Sequence, residues 1–259
     1  MTRSKHAGGR VSVEEPQVRF FPRMRRWVRN RMTTSPRLYL SLARMLHGEF
    51  VVSRDTELVI EGFPRSGNSF AEAAFRCAQT RPVRLAHHSH SAAQVVQAVR
   101  WRVPTLVLLR NPLEAARSLV MHEPHVFTPA SALKEYVVFH RSIASARQGF
   151  VLARFETVTS DFGGVIDAIN AKFSTNFERF EHTEANVKYA FEQLDRLSQE
   201  RGTAPETGEP YVPGRPQVQL ALRERQKAQL REQFQRLDRK GATLIACRLY
   251  DELRSIADI

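Results

Sequence analysis

Three clusters of residues could do chemistry in this chain, and each follows a short apolar run. The first is Gly62-Phe63-Pro64-Arg65-Ser66-Gly67-Asn68-Ser69, behind Leu58-Val59-Ile60. A glycine-flanked turn between a strand and a helix gathers backbone N–H groups at a helix N-terminus, which carries about half a positive charge, and so suits an anion. The spacing Gly62-x4-Gly67 is that of a P-loop, but Asn68 stands where nucleotide triphosphatases place lysine. Without that lysine, ATP or GTP hydrolysis is disfavoured, while a cradle for a shorter anion remains. The cation sits instead at Arg65, whose guanidinium can fork two oxygens of a phosphate or sulfate. The bland alternative is a turn whose glycines only make room.

The second cluster is His87-His88-Ser89-His90, after Val83-Arg84-Leu85-Ala86. Imidazole is the natural base near neutral pH. An idle surface histidine cluster is the alternative, and no carboxylate or cysteine partner stands out nearby for a metal. The third is Arg110-Asn111-Pro112, after Thr105-Leu106-Val107-Leu108-Leu109, with Ser118 about two helical turns further on. Arg110 is a second cation at a strand tip. It either faces the crevice shared with Arg65 or, read as packing, simply caps the strand or pairs with Glu114.

These clusters need strands that end together. Open parallel sheets bind ligands at the carboxyl ends of their strands. The pattern predicts strands at 58–60, 83–86, 105–109 and 150–155, with a turn beginning at Glu156. Helices are expected from 70 to about 80, over 91–102, from 113, and over 131–146, 162–173 and 218–238, with an apolar closing segment at 244–253. The expected fold is α/β, a central parallel sheet flanked by helices. Residues 201–216 hold four prolines and three glycines, which exclude regular structure, and a loop of that length is usually a lid or binding loop.

At 259 residues the chain suits one such domain with additions. Its net charge is +12, but residues 1–54 alone hold twelve Arg or Lys against three Glu. The division expected is a basic N-terminal arm, 1–54, and an α/β domain, 55–259. Within the arm, Phe20, Phe21, Met24, Trp27, Val28 and Met32 alternate with arginines. Such a segment either lies on an anionic membrane face or packs onto the domain as cover, and the second is favoured. Specific nucleic-acid binding is not expected, because the charge lies outside the domain. Cys77 and Cys247 stand alone and suit a reducing, cytoplasmic setting. No run of about 18 apolar residues calls for a membrane span.

Two of the clusters, in this order, resemble the PAPS-dependent sulfotransferase family. Its PxSG(T/N)(T/S) turn is matched by Pro64-Arg65-Ser66-Gly67-Asn68-Ser69, and its RNPxxxxxS segment by Arg110-Asn111-Pro112 through Ser118. The resemblance covers residues 57–173. It implies a P-loop-like sulfotransferase architecture and sulfuryl transfer from 3′-phosphoadenosine-5′-phosphosulfate (PAPS) to an acceptor hydroxyl, without a metal. Pro64 through Ser69 would hold the 5′-phosphosulfate, with Arg65 also stabilising the moving group. Arg110 and Ser118 would hold the 3′-phosphate, and Phe70 would lie beside the adenine. Arg215, in the late Gly/Pro loop, resembles the basic residue that closes over the 3′-phosphate. His88-Ser89-His90 falls on the family's Lys-Thr-His, so His90 is the candidate base, with His88 the alternative. A nucleotide-binding or membrane-associated interaction protein on the same fold, without turnover, is the competing expectation.

Overall fold

A computed structural model of the chain describes residues 50–200, 216–239, 241 and 243–259. Its centre is a four-stranded sheet in the order β2-β1-β3-β4, built from β1 (Leu58–Gly62), β2 (Leu85–His87), β3 (Thr105–Leu109) and β4 (Val151–Arg154). Every pairing is parallel. Each residue of β1 and β3 is buried, as expected of aliphatic strands covered on both faces.

The helices are α1 (Asn68–Ala78), α2 (Ala92–Arg100), α3 (Pro112–His122), α4 (Pro129–Ile143), α5 (Phe155–Ser160), α6 (Phe162–Phe173), α7 (Glu184–Glu200), α8 (Pro216–Arg239) and α9 (Leu244–Ser255). Phe70, Phe75, Phe162, Ile166 and Leu194 form the core on one face of the sheet. Leu119, Tyr136, Phe139, Phe234 and Tyr250 form it on the other. The fold is therefore α/β, with a central parallel sheet flanked by helices.

The chain leaves β1 toward β2 on one side and leaves β3 toward β4 on the other. The order of strands thus reverses between β1 and β3, the place at which open parallel sheets form their ligand crevice, outside the carboxyl ends of the strands. The loop after β1 and the turn after β3 leave from those ends.

Four local departures from the sequence expectations have physical reasons. β2 runs Leu85–His87 instead of 83–86, because Ile60 pairs with His87; His87 is then a buried strand residue rather than part of the loop. No turn begins at Glu156, because β4 gives way directly to α5. The helix expected over 131–146 begins at Pro129, where Thr128 and Ser131 cap each other's backbone and Pro129 opens the first turn. After Ile143 it tightens into the 3₁₀ segment Ala144–Gly149. Helix α7, for which no element was expected, packs Ala190 and Leu194 against the core.

Of the basic arm, only residues 50–54 are among those described; Trp27 and the arginines around it lie outside them. Val51 and Val52 are buried with Val59, Ala86 and Val103, and Gln94 accepts from Val52 N at 3.0 Å while donating to Phe50 O at 3.2 Å. The end of the arm is thus part of the domain's packing. No helix among the described residues is long and apolar enough to cross a membrane.

Candidate functional site

The loop from β1 to α1 is held open by its backbone. Arg65 has φ 68° and Gly67 φ 92°, both left-handed, and Gly67 alone adopts that conformation without steric strain. Ser66 N donates to Phe63 O at 3.2 Å to close the turn. Asn68, the residue in the place of a P-loop lysine, is 4% exposed and donates its amide to Phe63 O at 3.1 Å, so it braces the loop from within. Phe63 in turn packs on the Tyr136 ring, with centroids 5.2 Å apart. Gly67 at the N-cap leaves α1 without a side-chain cap. The hydroxyl of Ser66 is buried and has no partner among the described residues.

This loop is tied to the turn after β3. Arg65 Nε donates to Ser118 Oγ at 3.1 Å, and Arg110 Nη1 donates to Arg65 O at 2.7 Å. Asn111 accepts from Leu113 N at 2.9 Å and Glu114 N at 3.3 Å, and with Pro112 it starts α3 so that Ser118 falls opposite Arg65. Tyr136, fully buried on α4, donates to Arg110 O at 2.9 Å. Burial pushes the Tyr136 phenol well above its usual range, which fixes it as a donor.

Arg110 meets Glu114 at 3.5 Å, and its guanidinium also lies 4.1 Å from the centre of the Phe155 ring and beside Arg65. Burial lowers its pKa, the Glu114 carboxylate opposes this, and the charge on Arg65 lowers it further. Its Nε is buried with no partner among the described residues. Two guanidiniums, the buried Ser66 hydroxyl and an uncapped helix start suit a multivalent oxyanion.

The histidine loop hangs from a buried carboxylate. Glu61, in β1, is fully buried and accepts from Ser89 N at 2.8 Å, His90 N at 3.0 Å and Gln94 Nε2 at 2.9 Å. Burial raises its pKa, and the hydrogen bonds from Ser89 and His90 oppose the rise. His88 and His90 both have left-handed backbones, with φ 56° and 47°. Strain of that kind persists only where the surroundings impose it, and here Glu61 does.

His90 Nδ1 lies 3.0 Å from Gly62 O. A carbonyl accepts only from N–H, so the neutral ring carries its proton on Nδ1 and its lone pair on Nε2. His88 is engaged differently. Its Nε2 lies 2.9 Å from Ser69 Oγ, and its Nδ1 lies 2.6 Å from His87 Nδ1 and 3.3 Å from Glu72 Oε2. Glu72, on α1, also meets His87 at 3.1 Å and Arg76 at 2.9 Å. Burial would raise the Glu72 pKa, but the His88 hydrogen bond and the charges of His87, His88 and Arg76 hold it at about 2.

The crevice thus brings together Arg65, Ser66, Gly67, Ser69, His88, His90, Arg110 and Ser118, with Pro64 in the loop and Asn68 beneath it. Phe70 lies in an aromatic cluster with Phe162, Phe180 and Phe191 and is 7% exposed, so its ring belongs to the core. Arg215 lies outside the described residues. The expectation that no carboxylate stands near the histidines is corrected: Glu72 and Glu61 both do, brought in by α1 and β1. Sequence reading also passed over Tyr136 and Phe155. A glutamate inside an apolar strand run was a legible signal for Glu61, and Ser69 and Glu72 at i and i+3 share a helix face. Tyr136 and Phe155 carried no signal.

Neither a family model nor a curated protein matches the chain. Among solved structures, it is similar to mouse sulfotransferase SULT7A1 complexed with PAP, at 13% identity over 65% of this chain and 76% of that one. The TM-score is 0.39, and at that score the likeness says nothing about individual residues.

Proposed function

We propose that the chain transfers a sulfuryl group from PAPS to the hydroxyl of an acceptor. The observation that carries this reading is the lock between two separate βα turns, in which Arg65 reaches Ser118 and Arg110 reaches the Arg65 carbonyl. It supports a donor with anionic groups at two places, as a 3′,5′-substituted nucleotide has. The loop from Pro64 to Ser69 holds the 5′-phosphosulfate, through its amides, the Ser66 and Ser69 hydroxyls and the Arg65 fork. Arg110 and Ser118 hold the 3′-phosphate.

In the reaction, the acceptor oxygen attacks sulfur, its S–O bond forms, and the bond from sulfur to the 5′-phosphate oxygen breaks. The electron pair stays on that phosphate, and the acceptor proton passes to His90 Nε2. Charge spreads over the equatorial oxygens and the bridging oxygen, where Arg65 and preorganised N–H donors stabilise it, much as in phosphoryl transfer. His90 is taken as the base because the Gly62 carbonyl places its ring proton on Nδ1, which makes Nε2 the proton-accepting nitrogen.

The test compares 3′-phosphoadenosine-5′-phosphate (PAP) with adenosine 5′-phosphate on the wild type and Arg110→Ala. Loss of a charge-assisted pair predicts PAP affinity lower by about tenfold or more in the variant, with adenosine 5′-phosphate little changed. Equal losses for both ligands would remove Arg110 from the 3′-phosphate.

A further inference from the structure

One edge of the Arg110 guanidinium is left half-filled. Nη1 is committed to Arg65 O at 2.7 Å, and the Phe155 ring lies against the guanidinium, 4.1 Å from its centre. On any guanidinium, Nε–H and one Nη2–H share an edge and point the same way, the fork that grips two oxygens of one oxyanion. In Arg110 the Nε end of that edge is buried with no partner among the described residues, and the Nη2 end meets Glu114 Oε2 at 3.5 Å. That is an ion pair, but it is longer than the roughly 2.7–2.9 Å of a charge-assisted hydrogen bond. Glu114 stands in the first turn of α3, and half of its side chain is in water. A helix start favours a carboxylate there whatever its neighbours, so the residue type alone points to no ligand. Its place on the open edge of Arg110 does.

We infer that Glu114 is a tethered competitor at the Arg110 fork, which must swing into solvent before the 3′-phosphate can take both donors. The inference rests on the function proposed above. Glu114 is not needed to aim Arg110, because Arg65 O and the Phe155 ring already hold the guanidinium. Two effects then oppose a ligand at this edge. The ion pair with Glu114 is given up, a factor of about two to five for a pair this exposed. The displaced carboxylate also stays close to the bound phosphate and repels it.

Both effects fall on ligands that reach Arg110 and spare those without a 3′ group. PAPS and PAP carry the same 3′-phosphate, so the competitor loosens the spent donor as well as the fresh one. Its return to Arg110 as the phosphate leaves speeds release of PAP. Glu114 thereby sets how tightly the 3′ end is held, while Arg110 and Ser118 set where it is held. Glu156 is the other carboxylate whose charge acts on Arg110, opposed by the charge of Arg65. It separates the effect of nearby negative charge in general from that of a group seated on the fork.

The test is calorimetry with PAP and with adenosine 5′-phosphate on the wild type, Glu114→Gln and Glu156→Gln. Glu114→Gln should bind PAP about threefold to tenfold more tightly, with most of the gain in a slower dissociation rate measured by stopped flow. Its affinity for adenosine 5′-phosphate should stay within about twofold of wild type. Glu156→Gln should gain less than about twofold for PAP. Urea unfolding adds a readout that a merely structural role would not match. Glu114→Gln should be slightly less stable, because the first turn loses its carboxylate, and yet bind PAP more tightly. Unchanged or weaker PAP binding in Glu114→Gln, an equal gain for adenosine 5′-phosphate, or an equal gain in Glu156→Gln overturns the inference. Wild-type binding of PAP without a gain in Glu114→Gln removes this inference alone. If neither protein binds PAP in folded samples, the donor reading falls and this inference falls with it.

Discussion

Replacing Glu61 by Gln changes one atom and should release the histidine loop. Oε1 of Glu61 accepts from Ser89 N and Gln94 Nε2, and Oε2 accepts from His90 N. All three partners are donors, and the side chain is fully buried. A glutamine can keep its oxygen toward Ser89 and Gln94, but its amide nitrogen then faces the His90 N–H. A buried donor left facing a donor costs about 1–3 kcal/mol. The remaining two bonds lose the charged acceptor, at about 1 kcal/mol each, and relief of the buried charge offsets part of that. The net expectation is about 2 kcal/mol of lost stability. His88 and His90 also hold left-handed backbones at a cost of about 1–2 kcal/mol each. With one anchor gone, relaxing them outweighs the bonds that remain, so the His90 ring leaves the Gly62 carbonyl. Urea unfolding measures the first effect, and the His90 ring tautomer in histidine spectra reports the second. A stability change below about 0.5 kcal/mol, with His90 still the Nδ1–H tautomer, would refute the account of how this loop is held.

Acid should weaken the fold through His140, which is 1% exposed and whose pKa burial lowers from 6.5 to about 4. The unfolded chain takes up this proton first, so the contribution is complete above about pH 6.5 and is lost as pH falls toward 4, about 3 kcal/mol in all. In His140→Leu the acid limb of the stability profile should flatten between those values, and an unchanged limb would assign it to other groups. Tyr136→Phe should cost about 1 kcal/mol through the lost bond to Arg110 O, read by urea unfolding; no change would show that this bond is not needed to seat the turn. Gly67→Ala should cost about 1–2 kcal/mol, because φ is 92° and the new methyl would meet the Phe155 ring at 3.3 Å. Stability equal to wild type would mean that the loop relaxes freely.

The sheet was legible in the sequence because branched aliphatic runs ending in glycine, histidine or arginine mark buried parallel strands and their tips. Leu58, Val59 and Ile60 and the whole of Thr105–Leu109 lie where those runs placed them. The limits of β2 and of the helix after β4 were not legible, since His87 and Phe155 satisfy either neighbour and the tertiary pairing decides. Arg65, Ser118 and Arg110 could be expected to share a crevice from their positions after strands. That Arg65 bonds Ser118, while Arg110 bonds a backbone carbonyl of the other loop, depends on crossing geometry that no local pattern encodes. Glu61 and Glu72 passed unread for a different reason. Their partners in and beyond the histidine loop run from His87, 15 residues from Glu72, to Gln94, 33 from Glu61, so a pattern search for nearby ligands does not reach them.

Calorimetric titration of the purified chain with PAP, with ATP as the control, tests the central claim most directly. The account predicts saturable one-to-one binding of PAP and none of ATP, whose longer phosphate chain meets no loop lysine and whose ribose offers no 3′-phosphate to Arg110. A folded sample that binds ATP as well as PAP, or binds neither, would contradict it.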